Sequence, residues 1–193
     1  MITNTNKQHT ILIIALIVVA ATYRILPFHI WNVAPIGAIA LFGGAKLKNN
    51  WQAVFIPLMA LFLGDLFLNN VTYKALNPDF ILFYSGAIWI YASFALIALI
   101  GIVFLKKISA KNVLLASLAG SVLFFVISNF GVWIGSTMYP HNFAGLLTCY
   151  VAAVPFFVNT LAGDLLFSAI LFGVYELAMK GKTTQDQAQR IRS

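Results

Sequence analysis

Residues 31–45 read Trp31-Asn32-Val33-Ala34-Pro35-Ile36-Gly37-Ala38-Ile39-Ala40-Leu41-Phe42-Gly43-Gly44-Ala45. Whether this stretch crosses a membrane or only dips into it fixes the side on which everything downstream lies. It is apolar but rich in small residues, interrupted early by Pro35, and shorter than the ~20 residues of a straight span. The loop charges decide. If it crosses, with the N-terminus inside, then Lys7, Lys46, Lys48, Lys106, Lys107, Lys111, Lys180, Lys182, Arg190 and Arg192 share one side. That is ten positive charges, against two, Arg24 and Lys74, on the other. If it turns back, Lys106, Lys107 and Lys111 move opposite the basic tail and the asymmetry weakens. Lys and Arg gather in the cytoplasmic loops of membrane proteins, so the stretch reads as a span.

The rest of the chain agrees with a membrane setting. Of 193 residues, 61% are hydrophobic and only 9% are charged, against about 25% charged in soluble domains. No soluble globule of this size hides so much apolar surface, so the bilayer acts as solvent. The net charge of +7 comes from residues placed between apolar runs, not along one basic face, which argues against nucleic acid. The single cysteine, Cys149, excludes an internal disulfide and a zinc site built on cysteines.

Apolar runs predict spans over residues 10–26, 31–45, 51–68, 80–105, 112–136 and 156–179. The last begins after Pro155, which is expected to break the long apolar run from Leu146 to Met179 into a short outer segment and a spanning helix. Residues 1–21 have one Lys and a poor cleavage site at Val19-Ala20-Ala21, so they read as a retained span, not a signal peptide. The expected fold is an all-α integral membrane bundle of six transmembrane helices. A single transmembrane domain covers residues 1–180, and a polar cytoplasmic tail covers 181–193. Small residues four apart at Ala34 and Ala38, Ala40 and Gly44, and Ala116 and Gly120 predict close helix approach. Leu16 is expected to face lipid.

Ionisable residues inside apolar spans are costly, and each calls for an explanation. Asp65 follows Trp51 by 14 residues and Asp164 precedes Met179 by 15, which puts both ~21–22 Å from the cytoplasmic face at the helical rise. Arg24, 15 residues past His9, comes to the same level, with Asn129 and Asn159 nearby. Two readings are open. Arg24 neutralises an aspartate and braces the fold, or these groups line a cavity open to the outside. The outer loops mix rings with hydrogen-bonding groups, as in Trp31-Asn32 and around Trp133, which suits a pocket for a flat or cyclic solute. The expected substrate-binding residues are Arg24, Trp31, Asn32, Asp65, Asn129, Trp133, Asn159 and Asp164. His29 and His141 have no ligand spacing, so no metal is expected, nor is any cofactor.

The run Arg24 to Pro27, the block Trp31 to Ala45, Gly64-Asp65-Leu66, Ser128-Asn129-Phe130 and Pro155 through Asp164 together resemble an uncharacterised bacterial family of candidate transport proteins. The layout also resembles the S components of energy-coupling-factor vitamin transporters. Those likenesses imply a multi-pass protein of the bacterial inner membrane with cytoplasmic ends. They imply a substrate-binding or carrier subunit for a small, vitamin-like solute, partnered by the lipid bilayer and by an ATPase-bearing energising module. The first helix departs from the docking pattern of such components, because Ala15 is followed by Val19 where a small residue belongs. A solitary carrier is therefore equally open. Two other classes compete. One is a non-transporting scaffold or assembly subunit. The other is an intramembrane aspartyl enzyme, suggested by Gly64-Asp65 and Gly163-Asp164. The enzyme motif Gly-x-Gly-Asp is broken by Phe62 and Leu161, so no catalytic residue is assigned.

Overall fold

The computed structural model describes the backbone over residues 2–23, 33–76 and 79–192, and the side chains over 10–19, 21–23, 33–76 and 79–180. Among these residues the chain forms six α-helices: α1 (Ile2–Tyr23), α2 (Ile36–Lys46), α3 (Asn50–Phe67), α4 (Ala87–Phe104), α5 (Ala110–Gly135) and α6 (Phe143–Arg192). A π turn, Leu68–Thr72, closes α3. The segments Asn50–Thr72, Ala87–Phe104, Ala110–Gly135 and Phe143–Lys180 are long and apolar enough to cross a bilayer. Large apolar side chains such as Val19, Leu63, Ile88 and Val151 point outward, while Asp65, Ser93, Ser117, Ser121, Asp164 and Ser168 are buried. An apolar outside around a partly polar inside marks a multi-pass membrane protein.

The starts of α4, α5 and α6 have local causes. The Ser109 hydroxyl accepts the Asn112 N–H at the head of α5, and the Asn142 side chain accepts the Gly145 N–H at the head of α6. Both are N-cap bonds that satisfy otherwise orphaned donors. Before α4 the chain turns through Gly86 at φ 83°, a left-handed conformation that glycine adopts at no steric cost. This turn explains why α4 begins at Ala87 and not at residue 80. The apolar residues Phe80, Leu82 and Phe83 lie in an exposed loop instead. That loop is tied down by Asn70, whose amide donates to the Leu66 and Ile81 carbonyls and whose oxygen accepts the Ile81 N–H.

Other expectations change at the helix ends. The α2 helix starts at Ile36, after Pro35 at φ −80° and ψ 0°; residues 31 and 32 lie outside the described residues. The α6 helix runs without interruption through Pro155. A proline deletes one N–H and crowds one carbonyl, and a helix held in apolar surroundings keeps its other bonds. The expected break at residue 155 is therefore absent, and the backbone stays helical through the tail to Arg192.

The α2 helix packs against every other helix, and contacts of α1 with α3, α3 with α4, α4 with α5, α5 with α6 and α6 with α1 close a ring around it. Residues Ile36 through Gly44 are all buried. The sequence makes this possible by its small residues. A Cβ on Gly44 would strike the Ala98 carbonyl of α4, and one on Gly101 would strike the Leu41 carbonyl. At these positions the backbones of α2 and α4 touch directly. On the α3 side, a Cβ on Gly43 would meet the Pro57 ring. With lipid outside, dispersion between closely approached helices takes the place of a hydrophobic drive. Large side chains complete the fit, with Phe42 of α2 set edge-on to Phe172 and Tyr175 of α6. Leu16 is half-buried and packs against this core instead of facing lipid.

Candidate functional site

The central helix has only 11 residues, which span ~16 Å, about half the hydrocarbon thickness. Among the described residues, no helix continues α2 beyond its N-terminus. A cavity of about 300 Å³ lies there. Its floor is Ile36, Gly37 and Asp164, and its walls carry Tyr23, Tyr73, Tyr84, Phe94, Phe124 and Thr160.

The floor is built by α6 reaching under α2. Asp164 is 5% exposed. Its carboxylate accepts the backbone N–H of Ala38, and its Oδ2 accepts the Ser121 hydroxyl of α5 at 2.6 Å. Proline at the helix start supplies no capping side chain, so α6 supplies the cap in its place. The N-terminal end of a helix carries partial positive charge and free N–H groups, which favours an anion there. Gly37 makes the approach possible, since a Cβ at that position would fall on the Asp164 carboxyl. The preceding Gly163 is similarly close to the backbone of Val33 and Ala34. Thus Gly163-Asp164 grips both sides of the start of α2.

A line of hydroxyls continues from Asp164 into the bundle. Ser121 also lies 3.0 Å from the Ser117 carbonyl, and Ser117 donates to Ser168 at 2.9 Å. Ser117 and Ser121 are one turn apart on α5, as are Asp164 and Ser168 on α6, so the two pairs face each other. Each buried polar group in this line is thereby satisfied.

At the other end of α2, Lys46 lies 2.6 Å from Glu176 of α6 and 4.0 Å from the centre of the Tyr175 ring. An acid at the N-terminus and a base at the C-terminus both suit the dipole of α2, and both are clasped by α6.

The residues expected to bind solute are distributed among several environments. Asp164 borders the main cavity. Asn129 borders a neighbouring cavity of about 180 Å³ between α5 and α6, which shares Phe124 and Thr160 with the main one; the Asn129 amide donates to its own helix at the Phe125 carbonyl. Asp65 is buried on α3 and accepts the Tyr91 hydroxyl at 2.9 Å. Trp133 donates its indole N–H to the Pro140 carbonyl and packs its ring near His141, fastening the turn between α5 and α6. Asn159 is half-buried on α6 and borders neither cavity. Arg24, Trp31 and Asn32 lie outside the described residues, as does any pairing of Arg24 with an aspartate.

Sequence reasoning missed the residues that complete the floor: Gly37, the N–H of Ala38, and Ser121. The i, i+4 spacing of Ser117 with Ser121 and of Asp164 with Ser168 was the available signal. Chemically, the arrangement offers a fixed carboxylate at the bottom of an aromatic-walled cavity. It can accept hydrogen bonds from a solute, and its rings can stack on one. Among the described residues, no three His, Cys, Asp or Glu side chains converge as metal ligands would.

A family model described as a family of unknown function (DUF6580) matches residues 4–187. No curated protein and no solved structure matches the chain.

Proposed function

We propose, for a chain that belongs to this family of unknown function, that it is a membrane transport protein. In this reading it is a substrate-binding or carrier subunit that takes up a small solute through an outward-facing pocket. The observation that carries the reading is the cavity of about 300 Å³ over the N-terminus of a half-length central helix, floored by the Asp164 carboxylate. Broken or half-length helices whose ends meet a site near the midplane are a recurring device of transporters. The volume is at the lower end of those that enclose small ligands, and its aromatic walls favour a flat or cyclic body.

The wider reading has six spans, with α2 and the residues before it crossing together. Both ends face the cytoplasm, and the protein sits in a bacterial inner membrane. An S-component-like arrangement would draw energy from an ATPase-bearing module; a solitary carrier would not. A scaffold role would need no cavity, and an enzyme would need a second group beside Asp164 to activate water. Asp65 is engaged with Tyr91 on α4, which favours transport over paired-carboxylate chemistry.

The test is retention of a small molecule through purification, read by mass spectrometry, together with uptake in cells. Thr160 borders both cavities and bonds only its own helix, at the Phe156 carbonyl. Thr160→Phe should fill the space, abolish retention and uptake, and leave the melting temperature unchanged. A wild-type protein that retains and transports nothing, or a Thr160→Phe variant that retains solute fully, overturns the reading.

A further inference from the structure

At the lysine-rich end of the bundle, α5 and α6 separate and leave a groove of about 540 Å³. Its larger apolar lining residues include Val113, Leu114, Leu165 and Phe172. The outer surfaces of α5 and α6 are apolar as well, since Leu114, Leu166, Ile170 and Val174 are exposed. The polar groups in the wall are engaged with the protein itself. Ser117 donates to Ser168, Ser109 accepts the Asn112 N–H, and Glu176 is paired with Lys46 at 2.6 Å. What remains for an occupant is hydrocarbon surface.

The rim has a different chemistry. Ile108, Ser109 and Ala110 line the groove, and they sit in sequence between Lys106, Lys107 and Lys111. All three lysines are exposed. Glu176, the one carboxylate bordering the groove among the described residues, is paired with Lys46. The chain segment that forms this rim therefore carries three exposed positive charges beside an apolar slot. Basic clusters at the cytoplasmic end of transmembrane helices select anionic lipid headgroups, and an apolar slot beneath one accepts an acyl chain. A second helix would fill the slot but would leave three lysines without a matching charge.

We propose that the α5–α6 groove is a binding site for an anionic phospholipid, with an acyl chain along Val113, Leu165 and Phe172 and its phosphate met by Lys106, Lys107 and Lys111. The site is separate from the solute cavity and does not depend on the transport reading. Gly173 gives a direct way to close it, since this glycine lines the groove and a Cβ there meets nothing within 4 Å.

The experiment places the full chain in nanodiscs of equal parts phosphatidylglycerol and phosphatidylethanolamine, releases it, and counts retained lipids by native mass spectrometry. The wild type should retain phosphatidylglycerol several-fold over phosphatidylethanolamine. Gly173→Leu should retain neither lipid, at an unchanged melting temperature. A triple change of Lys106, Lys107 and Lys111 to Gln should keep a bound lipid but lose the preference for phosphatidylglycerol. The proposal is overturned by wild-type protein that retains no lipid or shows no preference. Persistence of the preference in the triple variant also overturns it, and this holds even where Gly173→Leu does not fold. Cross-linking of Gly173→Cys to another polypeptide in native membranes, with no lipid retained, would give the groove to a partner helix instead.

Discussion

Asp164 on α6 caps α2 across the bundle: its carboxylate accepts the N–H of Ala38, the third residue of that helix. A side chain more than a hundred residues downstream thus does what a local Ser or Asp does at an ordinary helix start. Asp164→Ala would leave the Ala38 N–H short of an acceptor and the Ser121 hydroxyl with the Ser117 carbonyl alone. The expected loss is about 1–3 kcal/mol, as for other buried groups deprived of a partner. Asp164→Asn keeps one acceptor oxygen and should lose less. Thermal unfolding in detergent reads both, and equal stability of the Ala variant and the wild type would remove the cap from the account of the fold.

Direct backbone contact between α2 and α4 makes a steric prediction. Gly44→Leu and Gly101→Leu should sharply lower the yield of folded protein, because the new side chains meet backbone that cannot yield, and overpacking of this kind typically costs about 1–3 kcal/mol or more. Gly135→Leu is the control, since a Cβ there meets nothing within 4 Å. Similar yields for all three would mean that the two helices are not in contact.

The Lys46–Glu176 pair calls for a double-mutant cycle. Lys46 is 11% exposed but Glu176 is 47% exposed, so solvent screens the pair and the coupling should be at most ~1 kcal/mol. It should fall as salt is raised. Lys46→Met should cost more than Glu176→Gln, because it also removes the cation over the Tyr175 ring.

Sidedness is read by cysteine labelling in intact cells with an impermeant reagent. Positions 74 and 141 should label and positions 48 and 107 should not, since all four are exposed and the charge split places them on opposite sides. Labelling of position 48 from outside would reject the six-span topology.

What the sequence made legible is what hydropathy and residue size encode. The helices α3 and α5 begin and end within two residues of apolar runs visible in the sequence, because each run is bounded by loops with turn or capping residues. The tight packing of α2 was readable from its glycines. Local turn chemistry was harder to see. Phe80 through Tyr84 has the composition of a span but is diverted by the left-handed Gly86 and held by Asn70. Pro155 has the letter of a helix breaker, yet its effect depends on packing that no single residue reports. Asp164 stood out as a buried charge. One of its partners is a backbone N–H on another helix, and a backbone group leaves no mark in the sequence. The hydroxyl line behind it looked like scattered serines until the helices were brought side by side.

The central helix has one further consequence, for biogenesis. An 11-residue helix with three glycines, covering about half the bilayer, is a weak substrate for insertion on its own. Of the five helices that enclose it, only α1 precedes it; α3 to α6 are translated later. During synthesis α2 is therefore expected to wait, at the interface or in the insertion machinery, until those helices follow. Its capping residue, Asp164, emerges close to the end of that sequence of events. The packing around α2 is complete only when α6 closes on it, so a ribosome stalled before α6 should leave the start of α2 without its cap.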